Sequence, residues 1–153
     1  AAQVGDDTKY ALPRSKPGAN PYDMSFSGLK TAALNMLHHA EQIGDELNIP
    51  DFCASFSSAV SDTLVPRVIR AVEQTGYDQL AVAGGVAANS RIRRDLNTAA
   101  EKMGVKLYMP PLSLCGDNAS MIGSQGYYEY LAGNIADMNL NAYATKSILG
   151  EQL

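Results

Sequence analysis

The stretch from Leu80 to Met109 limits what this chain can fold into more than any other. Leu80-Ala81-Val82-Ala83 is a short apolar run bounded by turn residues, the pattern of a buried strand. Gly84-Gly85 follows at once. Helical periodicity then runs from Val86 through Ile92, Leu96, Ala99 and Ala100 to Met103, and Gly104 ends it. Val105, Leu107 and Met109 alternate along a second strand, which stops at Pro110-Pro111. A strand, a helix and a strand in that order predict a parallel pair, because the helix returns the chain to the end where the first strand began. The expected class is therefore α/β, with a helical segment before the strands.

The flanking sequence is helical or irregular. In residues 1–25, Pro13, Pro17, Gly18 and Pro21 interrupt any helix, and apolar periodicity is absent. Ser27 or Gly28 opens a helix in which Leu29, Ala33, Leu37 and Ala40 repeat at helical spacing beside Met36. Gly44 is its expected C′ residue. A longer amphipathic pattern starts at Asp51, an N-cap candidate, and places Phe52, Phe56, Val60, Leu64, Val68 and Val72 four apart. Pro66 lies inside it and predicts a kink or break, since proline removes a helix hydrogen bond and crowds the preceding turn. Gly76 closes this helix. A last periodic stretch runs from Ala119 to Leu131, with Gly133 past its end. The expected organisation is an irregular opening (1–25), a helical part (26–76), an α/β part (77–133) and a tail (134–153). An irregular opening of that length is what a lobe preceded by further chain would show.

Composition excludes several classes. With 46% hydrophobic and 18% charged residues, the 153-residue chain is ordinary globular material rather than a disordered one. No apolar run approaches the ~18 residues of a membrane span, so no membrane partner is expected. Cys53 and Cys115 are isolated in sequence, which excludes a disulfide framework and suits reduced thiols in a cytoplasmic protein. The net charge of −4 argues against a stand-alone nucleic-acid binder. Arg91, Arg93 and Arg94 form a local exception, read either as a solvated helix face or as a contact for phosphates.

The chemistry-bearing residues concentrate in the turns. Glycine at Gly84 and Gly85 lets the backbone approach a ligand closely. The first amides of a following helix favour an anion, and Asn89 is able to bond a sugar hydroxyl or a base edge. The same residues equally suit a plain strand-to-helix turn. Neither a Walker A loop nor a dinucleotide fingerprint is present. Asp117, at the start of the last helix, is either an N-cap or a carboxylate for a divalent metal. A parallel sheet would place it at the same strand-end edge as Asn89, where ligands of open α/β sheets bind. His38 and His39 are adjacent on a helix and point about 100° apart, so they do not grip one metal together. Ser25-Phe26-Ser27-Gly28-Leu29-Lys30-Thr31 reads as a helix entry.

Three of these stretches occur in one order: Ser25–Thr31, Ala83-Gly84-Gly85-Val86-Ala87-Ala88-Asn89, and Leu114-Cys115-Gly116-Asp117-Asn118-Ala119-Ser120-Met121-Ile122. Together they resemble the C-terminal half of the catalytic subunit of tRNA threonylcarbamoyladenosine synthase, long called O-sialoglycoprotein endopeptidase or glycoprotease. The resemblance spans roughly Pro21 to Leu131 and is nearest the bacterial branch. It implies one lobe of an actin-like, ribonuclease-H-like ATPase fold. It implies transfer of threonylcarbamoyl from threonylcarbamoyl-AMP to the adenosine next to a tRNA anticodon. Gly84, Gly85 and Asn89 would then contact the nucleoside of ATP or the adenylate, and Asp117 would ligate an iron or zinc ion. The implied partners are the N-terminal lobe of the same chain, tRNA, a paralogous dimer partner and a small ATPase. The family's His-x-x-x-His pair and phosphate loops have no counterpart here, so the segment alone is expected to catalyse nothing. Gly116 replaces a threonine common among relatives. A silent nucleotide-binding or interaction module is the alternative. A protease lacks its residues here, and a sugar or acetate kinase of the same superfamily would be identified by phosphate loops outside this sequence.

Overall fold

A computed structural model describes residues 1–16, 18 and 20–142. Pro17, read above as a helix breaker, and residues 143–153 of the expected tail lie outside the described residues. The chain forms two compact units, Ala1–Gly116 and Asp117–Leu153.

The first unit is built on two helices. Helix α1 (Ser27–Ile43) buries Leu29, Ala33 and Ala40, as the spacing predicts, and stops at Gly44 with φ 69°. Helix α2 (Ile49–Thr75) begins two residues before Asp51. Its cap is Asn48, whose side chain accepts from the Asp51 N–H at 3.1 Å, a contribution of about 1 kcal/mol. Asp51 lies in the first turn instead, where its carboxylate accepts from the Asp6 N–H at 2.8 Å. No break occurs at Pro66, and α2 runs through it. The proline is exposed while its neighbours Val65 and Arg67 are buried, so packing on either side holds the helix together.

The irregular opening is packed rather than loose. Leu12 is buried with Leu29, Ala33, Phe52 and Ala59, and Tyr10 sits edge-on to Phe52 at 5.7 Å. Arg67, on α2, is buried and donates to the Asp23, Thr63 and Ser15 carbonyls at 2.8, 2.5 and 2.9 Å. Small polar side chains of α2 are buried as well. Ser55, Ser58, Ser61 and Thr63 are all buried.

Strands β1 (Gln79–Ala81) and β2 (Lys106–Tyr108) pair in parallel, Leu80 opposite Leu107. Helix α3 (Ser90–Met103) is the crossover and packs on α2. Val65, Ile92 and Leu96 form a second core, flanked by Val68, Val82 and Leu107. Full burial of Ile92 and Leu96 stabilises this layer by about 1.5–3 kcal/mol each. The α/β class is therefore observed. The expected buried strand is not: Leu80 is half-buried, and Gln79 and Ala81 are exposed. One face of this two-stranded sheet is covered, so alternate residues remain in water.

In the second unit, α4 (Ala119–Leu131) ends at Ala132, and Gly133 follows with φ 76°. Its residues are unburied, with Met121, Ile122, Tyr127, Tyr128, Tyr130 and Leu131 exposed.

Candidate functional site

The turn after β1 differs in detail from a helix that starts at once. Gly84 adopts φ 91° and ψ 170°, a region essentially reserved for glycine. Gly85–Ala88 is a single 3-10 turn, and Asn89 then caps α3. The Asn89 side-chain oxygen accepts from the Arg91 and Ile92 N–H groups at 2.9 and 3.2 Å. The helix amides expected to face an anion are thus partly satisfied by Asn89 itself. Its amide nitrogen donates to nothing among the described residues and remains available. Of the two glycines, only Gly84 has positive φ; Gly85 does not need it.

Asn89 is half-buried on the wall of a cleft of about 430 Å³, with Gln3, Asp7, Ser57, Ser90 and Arg94. That volume lies in the range of roughly 300–1,000 Å³ typical of small-molecule sites. The lining is mainly polar, with one cationic side chain well exposed: Arg94 reaches Asp95 at 3.3 Å but is 65% accessible.

The arginine cluster is not the solvated face its spacing suggests. Arg91 is clamped between Asp7 at 2.5 Å and Asp95 at 2.6 Å. Burial by itself would push the Asp95 carboxyl up; hydrogen bonds from Ser61 and Arg91 outweigh it and hold the group below its ordinary value. The hydrogen bond from Arg91 likewise holds Asp7 low. Arg93 turns inward and donates to the Ala87 and Pro110 carbonyls, both at 2.8 Å. Only Arg94 is left to water.

Asp117 opens the second unit, whereas Asn89 belongs to the first. Asp117 is exposed and does not cap α4; that role falls to Asn118, which accepts from the Met121 N–H at 3.0 Å. The offset of one residue follows from cap geometry, since the oxygen has to reach an amide two or three residues on. The Asp117 carboxylate has no hydrogen bond or ion pair among the described residues. His38 and His39 are exposed on α1. Cys53 and Cys115 are free thiols, Cys115 buried. No group of three His, Cys, Asp or Glu side chains able to hold a metal occurs among the described residues. No described helix is long and apolar enough to cross a membrane.

A helical pair, a parallel strand–crossover–strand unit and a glycine-led turn followed by an asparagine cap define an α/β lobe. Comparison with known proteins narrows this class. The family model for tRNA N6-adenosine threonylcarbamoyltransferase, TsaD, matches residues 1–124. The protein of that name from Moorella thermoacetica is 45% identical over 141 residues, which covers 92% of this chain and 41% of that protein. The Lactobacillus delbrueckii subsp. bulgaricus protein is 47% identical over 143 residues, with 92% and 41% covered. That of Staphylococcus saprophyticus is 45% identical over 142 residues, with 93% and 41% covered. This chain belongs to the TsaD family, whose members are tRNA-modifying transferases. It spans about 41% of the length of these curated relatives.

Proposed function

We propose that this chain is the nucleotide-side lobe of a transferase that moves threonylcarbamoyl from threonylcarbamoyl-AMP to the amine of a tRNA adenosine. One observation carries the reading: Asn89 caps α3 through its oxygen and keeps its amide nitrogen free at a polar cleft of about 430 Å³. Gly84 and Gly85 bring main chain close to the bound nucleoside, and Asn89 donates to it. ATP and the adenylate share that nucleoside and would compete. The lobe takes the actin-like, ribonuclease-H-like form, and completes its site with the N-terminal lobe of the same polypeptide. The tRNA, a paralogous partner and a small ATPase bind the assembled protein rather than this lobe alone.

The described residues do not by themselves build a metal centre. We assign Asp117 as one carboxylate ligand of an iron or zinc ion, with the other ligands on the remaining polypeptide. When bound, such an ion would polarise acyl or phosphate oxygens. The segment alone lacks the rest of this machinery and is inactive. The transferase names shared by the relatives do not favour a silent interaction module.

The experiment is threonylcarbamoyl transfer to tRNA by the full-length polypeptide, with nucleotide affinity measured for wild type, Asn89→Ser and Asn89→Ala. Serine retains a cap oxygen but not the amide. Both variants are expected to bind adenine nucleotide at least tenfold more weakly, while alanine alone also loses about 1 kcal/mol of stability. Wild-type affinity in Asn89→Ser would remove Asn89 from the site. Absence of transfer by the wild-type full-length polypeptide with its partners would overturn the functional reading.

A further inference from the structure

The Gly84–Asn89 turn needs an anchor. It begins with a residue at φ 91°, carries two glycines and makes one 3-10 turn. Glycine adds conformational freedom that something else has to remove if the turn is to hold a substrate. Arg93 supplies a restraint from the first turns of α3. Its Nη1 donates to the Ala87 carbonyl and its Nη2 to the Pro110 carbonyl, both at 2.8 Å. Nη1 also lies 3.6 Å from Cys115 Sγ. The Cys115 thiol in turn donates to the Pro111 carbonyl at 3.6 Å. Ala87 sits within the glycine turn, while Pro110 and Cys115 bracket the segment that follows β2.

The surroundings favour a positioning role over a surface one. Ala87 and Cys115 are buried at 2% and 3% accessibility. Arg93 itself is half-buried and has no carboxylate partner among the described residues, unlike its neighbours Arg91 and Arg94. A guanidinium is planar, so two N–H groups aimed at two carbonyls fix the distance between them. Lysine has the charge but no fork. In low-dielectric surroundings such bonds are stronger than in water.

We propose that Arg93 is a positioning residue: it bridges the Gly84–Asn89 turn and the Pro110–Cys115 segment, and so holds Asn89 in register for the nucleotide. This rests on the nucleotide-site reading given above. Displacement of a reacting geometry by ~1 Å can cost on the order of 10²-fold in rate. The bridge therefore acts on the adenylate rather than on the tRNA.

The test uses the full-length polypeptide with its partners, as wild type, Arg93→Lys and Arg93→Met. Four quantities are read at a temperature where all remain folded: kcat and KM for threonylcarbamoyl-AMP, KM for tRNA, and the maleimide labelling rate of Cys115 by peptide mass spectrometry. Expected are a fall of tenfold or more in kcat/KM for the adenylate in both variants, an unchanged KM for tRNA, and Cys115 labelling at least tenfold faster. A kcat/KM within twofold of wild type in Arg93→Met overturns the proposal, as does full rescue by lysine. A raised KM for tRNA with an unchanged adenylate response assigns Arg93 to tRNA contact and overturns it too. If wild type shows no transfer, the functional reading fails, and unchanged Cys115 labelling in Arg93→Met would separately refute the bridge.

Discussion

Replacing Gly84 by alanine tests the turn on which the site stands. At φ 91° and ψ 170°, Gly84 occupies a region where a side chain costs about 1–3 kcal/mol. A Cβ placed there meets no atom within 4 Å, so the cost is one of backbone conformation and not of collision. Gly85 is the internal control. It lies in the same open space but without positive φ. Alanine there restricts the unfolded chain and should be neutral or stabilising by up to about 1 kcal/mol. The two variants should therefore differ by about 2 kcal/mol. At this chain length 1 kcal/mol moves Tm by roughly 2–4 °C, so their midpoints should separate by roughly 4–8 °C. Urea unfolding followed by circular dichroism, with equal m-values, gives the same quantity independently. Equal midpoints for Gly84→Ala and Gly85→Ala would refute the reasoning, because neither added Cβ meets an atom within 4 Å and of the two only Gly84 has positive φ. A relaxed turn would also move the Ala87 carbonyl away from Arg93.

Acid should loosen the join between the opening segment, α2 and α3. Asp7 and Asp95 are held below the ordinary carboxylate value when folded, so their stabilisation is present above the unfolded pKa and is lost as pH falls through the folded one. Tm measured from pH 6 down to pH 2 should fall more steeply in wild type than in Asp95→Asn; parallel curves would contradict this. Arg67→Met removes the guanidinium donors from the Ser15, Asp23 and Thr63 carbonyls. It should cost about 3 kcal/mol and speed proteolysis between Ser15 and Asp23; retained stability and protease resistance would rule out that staple. Asp117→Ala in the full-length polypeptide should lower bound iron or zinc measured by elemental analysis without lowering Tm through a lost cap, since Asn118 is the cap. Full metal content would take Asp117 out of the ligand set.

Much of the fold is legible in the order of residues because it depends on neighbours. Leu29, Ala33 and Ala40 share a helix face wherever that helix lies, and Gly44, Gly76 and Gly104 end helices through their own φ of 68–69°. The parallel pair follows from strand, helix and strand in succession. The three motifs that carry the family resemblance are likewise local strings. Their legibility fails where a partner is remote. Proline signalled a break in α2, but burial of Val65 and Arg67 on either side outweighs the lost hydrogen bond. The apolar stripe four apart includes Phe56 and Leu64, which are half-buried, while Ser55, Ser58, Ser61 and Thr63 are the more buried residues. Small hydroxyl side chains are admitted there because they find acceptors close by, such as Asp95 for Ser61 at 2.6 Å and the Ala59 carbonyl for Thr63 at 2.9 Å.

The candidate site divides along the same line. Gly84, Gly85, Asn89 and Asp117 stand out from sequence alone, as residue types at turns that end strands or begin helices. Asn89 as a cap, with one end of its amide spent and the other free, emerges only from the folded turn. The fates of three crowded arginines differ for the same reason. Arg91 meets Asp7, which lies 84 positions away in the chain, and Arg93 meets Pro110, 17 positions away. Periodicity and capping propagate over a turn or two of helix, so a string of letters carries them. The partner of a charged side chain is chosen by which distant segment the hydrophobic cores at Leu12 and Ile92 bring alongside, and that information exists only once the chain has packed.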